Sequence, residues 1–375
     1  MHNKKLHVVA DENISGLEHF EKIAAVSKIS GRAISRENIK HADALLVRSV
    51  SLINKQLLEN TAIKFIASAT SGIDHVDIDY LQKNNIQFAY APGSNANSVV
   101  QYVFASLAFL SQKYDFDWRG LSFGIVGAGH VGGLLADYLD KLGINFSIYD
   151  PFLPATHPYS DRFATFNEVQ QQDVISVHTP LTTKGAFPTH HLFDKQVIHS
   201  LSKNAILINS ARGAVFDNRA LHQEYESHSW KCVLDVWENE PDIFIPLLRD
   251  VDLGTSHIAG YSYEGKEQGS AKIYQAFVEF FGFENVQAYP LDNNTRLLEV
   301  PASSSELEQI NQVILAAYAI QDDYLQMLEL ANNPSVSFDA LRKHYPLRRE
   351  FQSYRLDYAA FTASAEKTLR LLGFN

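Results

Sequence analysis

Short apolar runs punctuate the chain, each followed by turn residues and then by a stretch with helical spacing. In the first quarter they fall at 6–10, 44–47, 65–67 and 86–90. Runs of this length, bounded by turn chemistry and alternating with helices, predict a small parallel sheet. Pro92-Gly93-Ser94-Asn95 is a turn, and 99–110 reads as a buried helix that carries the chain into a second lobe. Further runs at 123–126, 144–149, 174–177, 205–208 and 233–236, and a last short one ending near Ser256, predict a second parallel sheet. A helix over about 265–281 returns to the first lobe. The pattern then changes. A long helical stretch from 305 to 330 and a basic segment, LRKHYPLRRE, predict a smaller α+β module. Residues 305–330 expose more apolar surface than a small appendage can cover, which predicts a two-fold homodimer.

The stretch 121–150 gives this pattern a function. The strand 123–126 enters Gly127-Ala128-Gly129-His130-Val131-Gly132, a helix follows to a Gly143 C-cap, and the next strand ends at Asp150. Gly127 permits the tight turn, Gly129 lets the backbone approach a pyrophosphate, and Gly132 lets the helix pack close to the strand. The helix start offers unpaired N–H groups and the positive end of a dipole. Asp150 stands where an acid takes the ribose hydroxyls and repels a 2′-phosphate, so the expected cofactor is NAD rather than NADP.

Composition narrows the partners. The formal net charge of −11 argues against nucleic acid or an anionic membrane as the main partner. An anionic substrate then needs a local basic pocket. The start of the chain lacks a signal-peptide apolar core, and no apolar run approaches the length of a membrane span, so the expected location is cytoplasmic. The single cysteine, Cys232, cannot form a disulfide within the chain and reads as a buried thiol.

Three successive strand ends in the second lobe carry Arg212, Glu240 and His257. A parallel sheet brings such ends to one edge, beside the cofactor. A histidine there can exchange the proton of a hydroxyl, a carboxylate can orient the imidazole, and an arginine can hold a carboxylate and polarise the neighbouring carbonyl. That set suits oxidation of a 2-hydroxy acid. No metal is expected. In the first lobe, Arg48 follows a buried run and is either a surface ion-pair member or a substrate contact.

The segments GIVGAGHVGG, HTPLT, INSARG, DVWENEP and SHIAGY resemble the D-isomer-specific 2-hydroxyacid dehydrogenase family in order and spacing, as do DALLVRSV, SATSGIDHVD and APGSNANSV. The resemblance implies two Rossmann-like or flavodoxin-like parallel-sheet lobes with a cleft between them, and here a C-terminal α+β dimerisation module. The implied divisions are 1–96, completed by about 262–284, for substrate; 97–261 for NAD; and 285–375 for dimerisation. It implies Arg212, Glu240 (rather than Glu238) and His257 as the catalytic trio. It also implies NAD contacts at Gly127, Gly129, His130, Val131, Gly132, Asp150, Thr179, Ser210, Asp235 and Gly260, and substrate contacts at Ser49, Thr70 and Tyr261, with Arg48 the best-placed cation for a phosphate. Arg348 and Arg349 are a second option for that phosphate. The segments ADEN, GTSHIAGYSYEGK and LRKHYPLRREF single out members that oxidise a phosphorylated four-carbon 2-hydroxy acid. A 3-phosphoglycerate-type dehydrogenase and a non-enzymatic NAD-sensing protein of the same superfamily would share the trio.

Overall fold

The computed structural model describes residues 5–301, 305–333 and 335–375. The chain forms two compact units, Met1–Asn95 with Ser262–Asn293 and Ala96–Tyr261 with Asn294–Asn375. Each is built on a parallel sheet.

In the first unit the strands are β1 (His7–Asp11), β2 (Ala25–Ile29), β3 (Ala44–Val47), β4 (Phe65–Ser68) and β5 (Gln87–Tyr90), in the order β2-β1-β3-β4-β5. β3 and β4 are buried at every position, as central parallel strands must be. β2 has no apolar run to announce it. It is an edge strand with most of its residues at least partly exposed, so polar side chains are tolerated there. The helix Tyr263–Phe281 brings Ile273, Tyr274 and Phe277 into the core with Val8, Ala10, Leu46 and Phe65.

The second unit holds β6 (Phe123–Val126), β7 (Phe146–Tyr149), β8 (Val174–Val177), β9 (Ile206–Asn209), β10 (Lys231–Leu234) and β11 (Leu253–Gly254). Their order is β11-β10-β9-β8-β6-β7, every pair parallel. The order reverses at β6, and ligands of open α/β sheets bind outside the strand ends at such a point. The helix Ala96–Tyr114 is buried along most of its length.

The stretch 305–330 is two helices, Glu306–Ala317 and Ile320–Asn332, with extended Tyr318 between them. Ile310, Val313 and Ile314 join the buried cluster of Val103, Phe104 and Leu107, and Trp118 Nε1 donates to Asn311 Oδ1 at 3.0 Å. The apolar stripe that predicted a partner subunit is thus largely covered within the chain. Leu325 is the large apolar side chain of these helices that stays exposed. A short parallel pair, Arg296–Leu297 with Tyr354–Arg355, completes this region. Cys232 is fully buried, and burial raises its thiol well above the ordinary range. Among the described residues no helix is long and apolar enough to cross a membrane.

Candidate active site

The glycine turn leaves β6 at the reversal point of the sheet. Gly127 has φ +84°, and a Cβ there would sit 3.0 Å from the Thr179 backbone. A Cβ on Gly132 would meet the Gly127 carbonyl at 2.0 Å, so only glycine lets the helix His130–Leu142 start this close to the strand. Gly129, by contrast, faces open space, and His130 beside it is exposed. The helix start therefore presents its N–H groups where a pyrophosphate can reach them. Asp150, at the end of β7, accepts from Ala128 N at 2.9 Å and Phe152 N at 3.1 Å, which fixes its carboxylate against the turn. After β8 the Thr179 hydroxyl donates to Pro180 O at 3.0 Å. After β9 the Ser210 hydroxyl is buried with no partner among the described residues. A buried polar atom of that kind calls for a ligand or a water.

Glu240 and His257 come together as a pair. His257 Nδ1 lies 2.7 Å from Glu240 Oε2, and Trp237 N donates to Glu240 Oε1 at 2.8 Å. Burial would raise the Glu240 carboxyl. The His257 ring, the Trp237 N–H and the Arg342 guanidinium outweigh it and hold Glu240 below the usual glutamate range. An ionised carboxylate only accepts, so His257 Nδ1 carries the proton and Nε2 is left basic. Glu238 takes no part. Its carboxylate meets His191 Nε2 at 2.7 Å and the Asn218 N–H at 2.9 Å. His190, His191 and Glu238 do bring possible ligand atoms within 4.8 Å of one another, the one such group among the described residues.

His257 sits at φ +59°, a left-handed backbone that costs a non-glycine residue about 1–3 kcal/mol and persists only where the surroundings enforce it. Asp235 enforces it. Its Oδ1 accepts from Thr255 Oγ1 and Ile258 N, each at 2.7 Å, and its Oδ2 from Ala259 N at 2.9 Å. Its main-chain oxygen accepts from His257 N at 2.7 Å. Behind it, the buried Tyr102 hydroxyl meets Thr255 Oγ1 at 2.9 Å. Asp235 is 1% exposed, so the carboxylate expected to touch NAD is occupied as a clamp on the loop that carries the histidine.

Residues from the C-terminal region close on the same loop. Arg348 is buried over the Tyr318 ring at 4.1 Å, and its Nη2 donates to Ser98 Oγ and, at 2.6 Å, to Ala259 O. Arg349 is buried and faces Asn294 O and Ser353 Oγ. Both make hydrogen bonds within their own unit, and Arg348 Nη1 is buried with no partner among the described residues. Arg342, which the sequence did not single out, donates from Nη2 to the Tyr261 hydroxyl at 3.0 Å. Gly260 lies in the turn closed by Tyr261 N to Ile258 O at 2.8 Å. Arg212 leads into the turn Gly213–Val215 and donates from Nη1 to Ala211 O at 2.8 Å.

The first unit carries its own candidates. Arg48 Nε is paired with Asp11 Oδ2 at 2.9 Å, and Asp11 is fully buried. The ion pair and a substrate role are compatible, because one N–H of the guanidinium is used and the others can serve elsewhere. Ser49 is exposed. The Thr70 hydroxyl meets Ser68 Oγ at 2.7 Å and donates to Gly72 O at 3.0 Å.

Comparison with known proteins bears on the whole chain. Residues 107–259 match the family model described as D-isomer specific 2-hydroxyacid dehydrogenase, NAD binding domain, and residues 294–373 match a domain of unknown function (DUF3410). An erythronate-4-phosphate dehydrogenase of Cellvibrio japonicus is 40% identical over 383 residues, covering 98% of this chain and 99% of that protein. One of Salmonella arizonae is 40% identical over 378 residues, covering 99% and 98%. Among solved structures, D-lactate dehydrogenase from Aquifex aeolicus, complexed with NAD and lactic acid, superposes with a TM-score of 0.61 at 24% identity, covering 73% of this chain and 96% of its own. The NAD-bound 3-phosphoglycerate dehydrogenase of Entamoeba histolytica gives 0.63 at 22% identity, covering 77% and 100%. At these identities the two structures support the fold alone.

Proposed function

The chain belongs to the erythronate-4-phosphate dehydrogenases, within the D-isomer specific 2-hydroxyacid dehydrogenases, and on that premise we propose that it oxidises 4-phospho-D-erythronate at C2 to (R)-3-hydroxy-2-oxo-4-phosphobutanoate in the supply of pyridoxal 5′-phosphate. The observation that carries the chemistry is the His257–Glu240 pair at 2.7 Å on a loop held in a strained conformation.

NAD, when bound, supplies the acceptor for the C2 hydride. The residues present fit it: the open approach at Gly129, the free helix start at His130 and Val131, Asp150 at the next strand end, and the unpartnered Ser210 hydroxyl. Thr179 and Gly260 are assigned to the same site on the family match, and Asp235 serves it through the loop that it holds. His257 Nε2 takes the C2 hydroxyl proton. Glu240 holds the ring in the tautomer that leaves Nε2 basic, and its charge stabilises the imidazolium that forms. Arg212 holds the substrate carboxylate and polarises the C2 oxygen as it becomes a carbonyl. Arg48, Ser49 and Thr70 are the first unit's candidates for substrate contact. The protein works in the cytoplasm as a homodimer.

His257→Asn removes the base and keeps a polar side chain of similar reach. It should lower kcat by about 10²–10⁴-fold, while NADH binding, read by fluorescence, stays intact. A kcat within a factor of two of the unsubstituted protein overturns the assignment. A substrate of 3-phosphoglycerate type is separated by comparing kcat/KM for the two phosphorylated acids.

A further inference from the structure

Three distant stretches of the second unit meet at Ala259, two residues past His257. Its N–H is taken by Asp235 Oδ2 at 2.9 Å. Its carbonyl oxygen accepts from Ser98 Oγ at 2.9 Å and from Arg348 Nη2 at 2.6 Å. The same Nη2 also donates to Ser98 Oγ, so the serine hydroxyl accepts from the guanidinium and passes its own proton to Ala259 O. Both main-chain polar groups of Ala259 are thus held, one by an anion and one by a cation.

The cation is set firmly in place. Arg348 leads into a segment docked on the helix Ala96–Tyr114: Phe351 N donates to Gln101 Oε1 at 3.0 Å, and Asn97 Nδ2 donates to Glu350 Oε2 at 2.8 Å and to Gln352 Oε1 at 2.9 Å. A buried charge needs partners that replace its hydration. For Arg348 these are the Tyr318 ring, 4.1 Å from the guanidinium carbon, the Ser98 hydroxyl and the Ala259 carbonyl, with the Asp323 and Glu350 charges acting through space. Nη1 is buried with no partner among the described residues. A well-packed apolar side chain often stabilises a core as well as a buried ion does, so an incompletely served cation is weak evidence of a role in stability. Its hydrogen bonds go to the main chain of a loop whose histidine stands at φ +59°, a conformation that persists only where the surroundings enforce it.

We propose that Arg348 is a positioning residue for the base. With Ser98 it fixes the Ala259 carbonyl, as Asp235 fixes the Ala259 N–H, and the two together hold the loop in the conformation that presents His257. The C-terminal region, matched to a domain of unknown function, then takes part in the chemistry as well as in the core. The proposal rests on the reading of His257 as the base, but its first measurement does not.

That measurement is hydrogen exchange by mass spectrometry on the full-length protein without NAD, following the peptide that spans 255–262. Arg348→Met keeps an apolar stem against Tyr318 and removes every donor. It should quicken exchange in this peptide by about 10- to 100-fold, with the strands of both sheets unchanged. With NAD, kcat should fall by about 10- to 100-fold for 4-phosphoerythronate and by the same factor for erythronate, with KM changed far less. Arg348→Lys should recover part of both effects, because a point charge replaces a fork. Ser98→Ala, which removes the second donor to the same oxygen, should act in the same direction by a smaller factor, and it carries the test if Arg348→Met fails to fold. Unchanged exchange in 255–262, exchange that quickens equally throughout the second unit, or a quickened loop with kcat intact overturns the proposal. So does a loss confined to KM of the phosphorylated acid, which would make Arg348 a phosphate contact. If the loop alone quickens but the unsubstituted protein oxidises neither acid, Arg348 still holds the loop and the assigned reaction falls.

Discussion

Asp235→Asn separates a clamp from a cofactor contact. The carboxylate takes three donors in a site 1% exposed: Thr255 Oγ1 and Ile258 N on one oxygen, Ala259 N on the other. Asparagine offers one acceptor oxygen and one NH2. With its oxygen toward Ile258, the NH2 confronts the Ala259 N–H. Flipped, it confronts Ile258 N–H and the Thr255 hydroxyl. In both rotamers at least one buried N–H loses its acceptor, at about 1–3 kcal/mol, and the surviving bonds lose their charge assistance. The sum is about 2–4 kcal/mol. In thermal unfolding without NAD this should lower Tm by about 5–15 °C. The same change frees the loop to relax His257 from φ +59°. Displacing a reacting group by about 1 Å costs on the order of 10²-fold in rate, so kcat should fall by that order. Both measurements are needed, and the first must exclude the cofactor. If Asp235→Asn unfolds at the unsubstituted temperature without NAD and loses only NAD affinity, the clamp argument is wrong and Asp235 is a cofactor contact.

Three further outcomes follow from the same structure. Asp150→Ala should narrow the preference for NAD over NADP, by weakening NAD binding and by removing repulsion of a 2′-phosphate; equal use of both cofactors by the unsubstituted protein contradicts the assignment. His178 has its Nδ1 sealed from solvent, and burial pushes its pKa down from 6.5 to about 3. Between those values the unfolded chain binds a proton that the folded chain refuses, so stability rises with pH across the window and is lost on acidification below 6.5. His178→Gln should flatten that decline in denaturant titrations at stepped pH. Asp323, raised to about 6 by burial, acts in the opposite sense between 3.8 and 6 and blunts the lower part of the curve in both proteins. Deleting residues 294–375 should abolish folding of the second unit, because it strips Ile310, Val313 and Ile314 from the core around Trp118; a soluble product with native-like tryptophan emission contradicts this.

What the sequence disclosed, and what it hid, has a physical pattern. Strands buried on both faces, such as β3, β6 and β8, are written as apolar runs, and reading runs finds them. The edge strand β2, AVSKI, needs no such run and was invisible. The break at Tyr318 carries neither glycine nor proline, so 305–330 reads as one helix whose apolar side needs a partner. The structure turns it into two helices packed largely on their own unit. The glycine turn is a local signal and was legible, whereas the choice of Glu240 over Glu238 came from the resemblance, and the structure pairs Glu240 with His257. Arg342 was not legible, because its partner Tyr261 lies 81 residues away and nothing periodic joins them. The same holds for the clamp by Asp235, whose residue type is legible but whose three donors are a tertiary fact.

The proposed reaction moves a hydride from C2 of a phosphorylated 2-hydroxy acid to NAD, with His257 taking the proton. The most direct measurement is NADH absorbance with 4-phosphoerythronate and NAD, a carbonyl trap drawing off the 2-oxo product, run beside 3-phosphoglycerate and unphosphorylated erythronate. NADH should form in step with trapped 2-oxo acid, fastest with 4-phosphoerythronate and slowed by about 10²–10⁴-fold in His257→Asn. No NADH from any of the three acids, or 3-phosphoglycerate preferred to 4-phosphoerythronate, contradicts it.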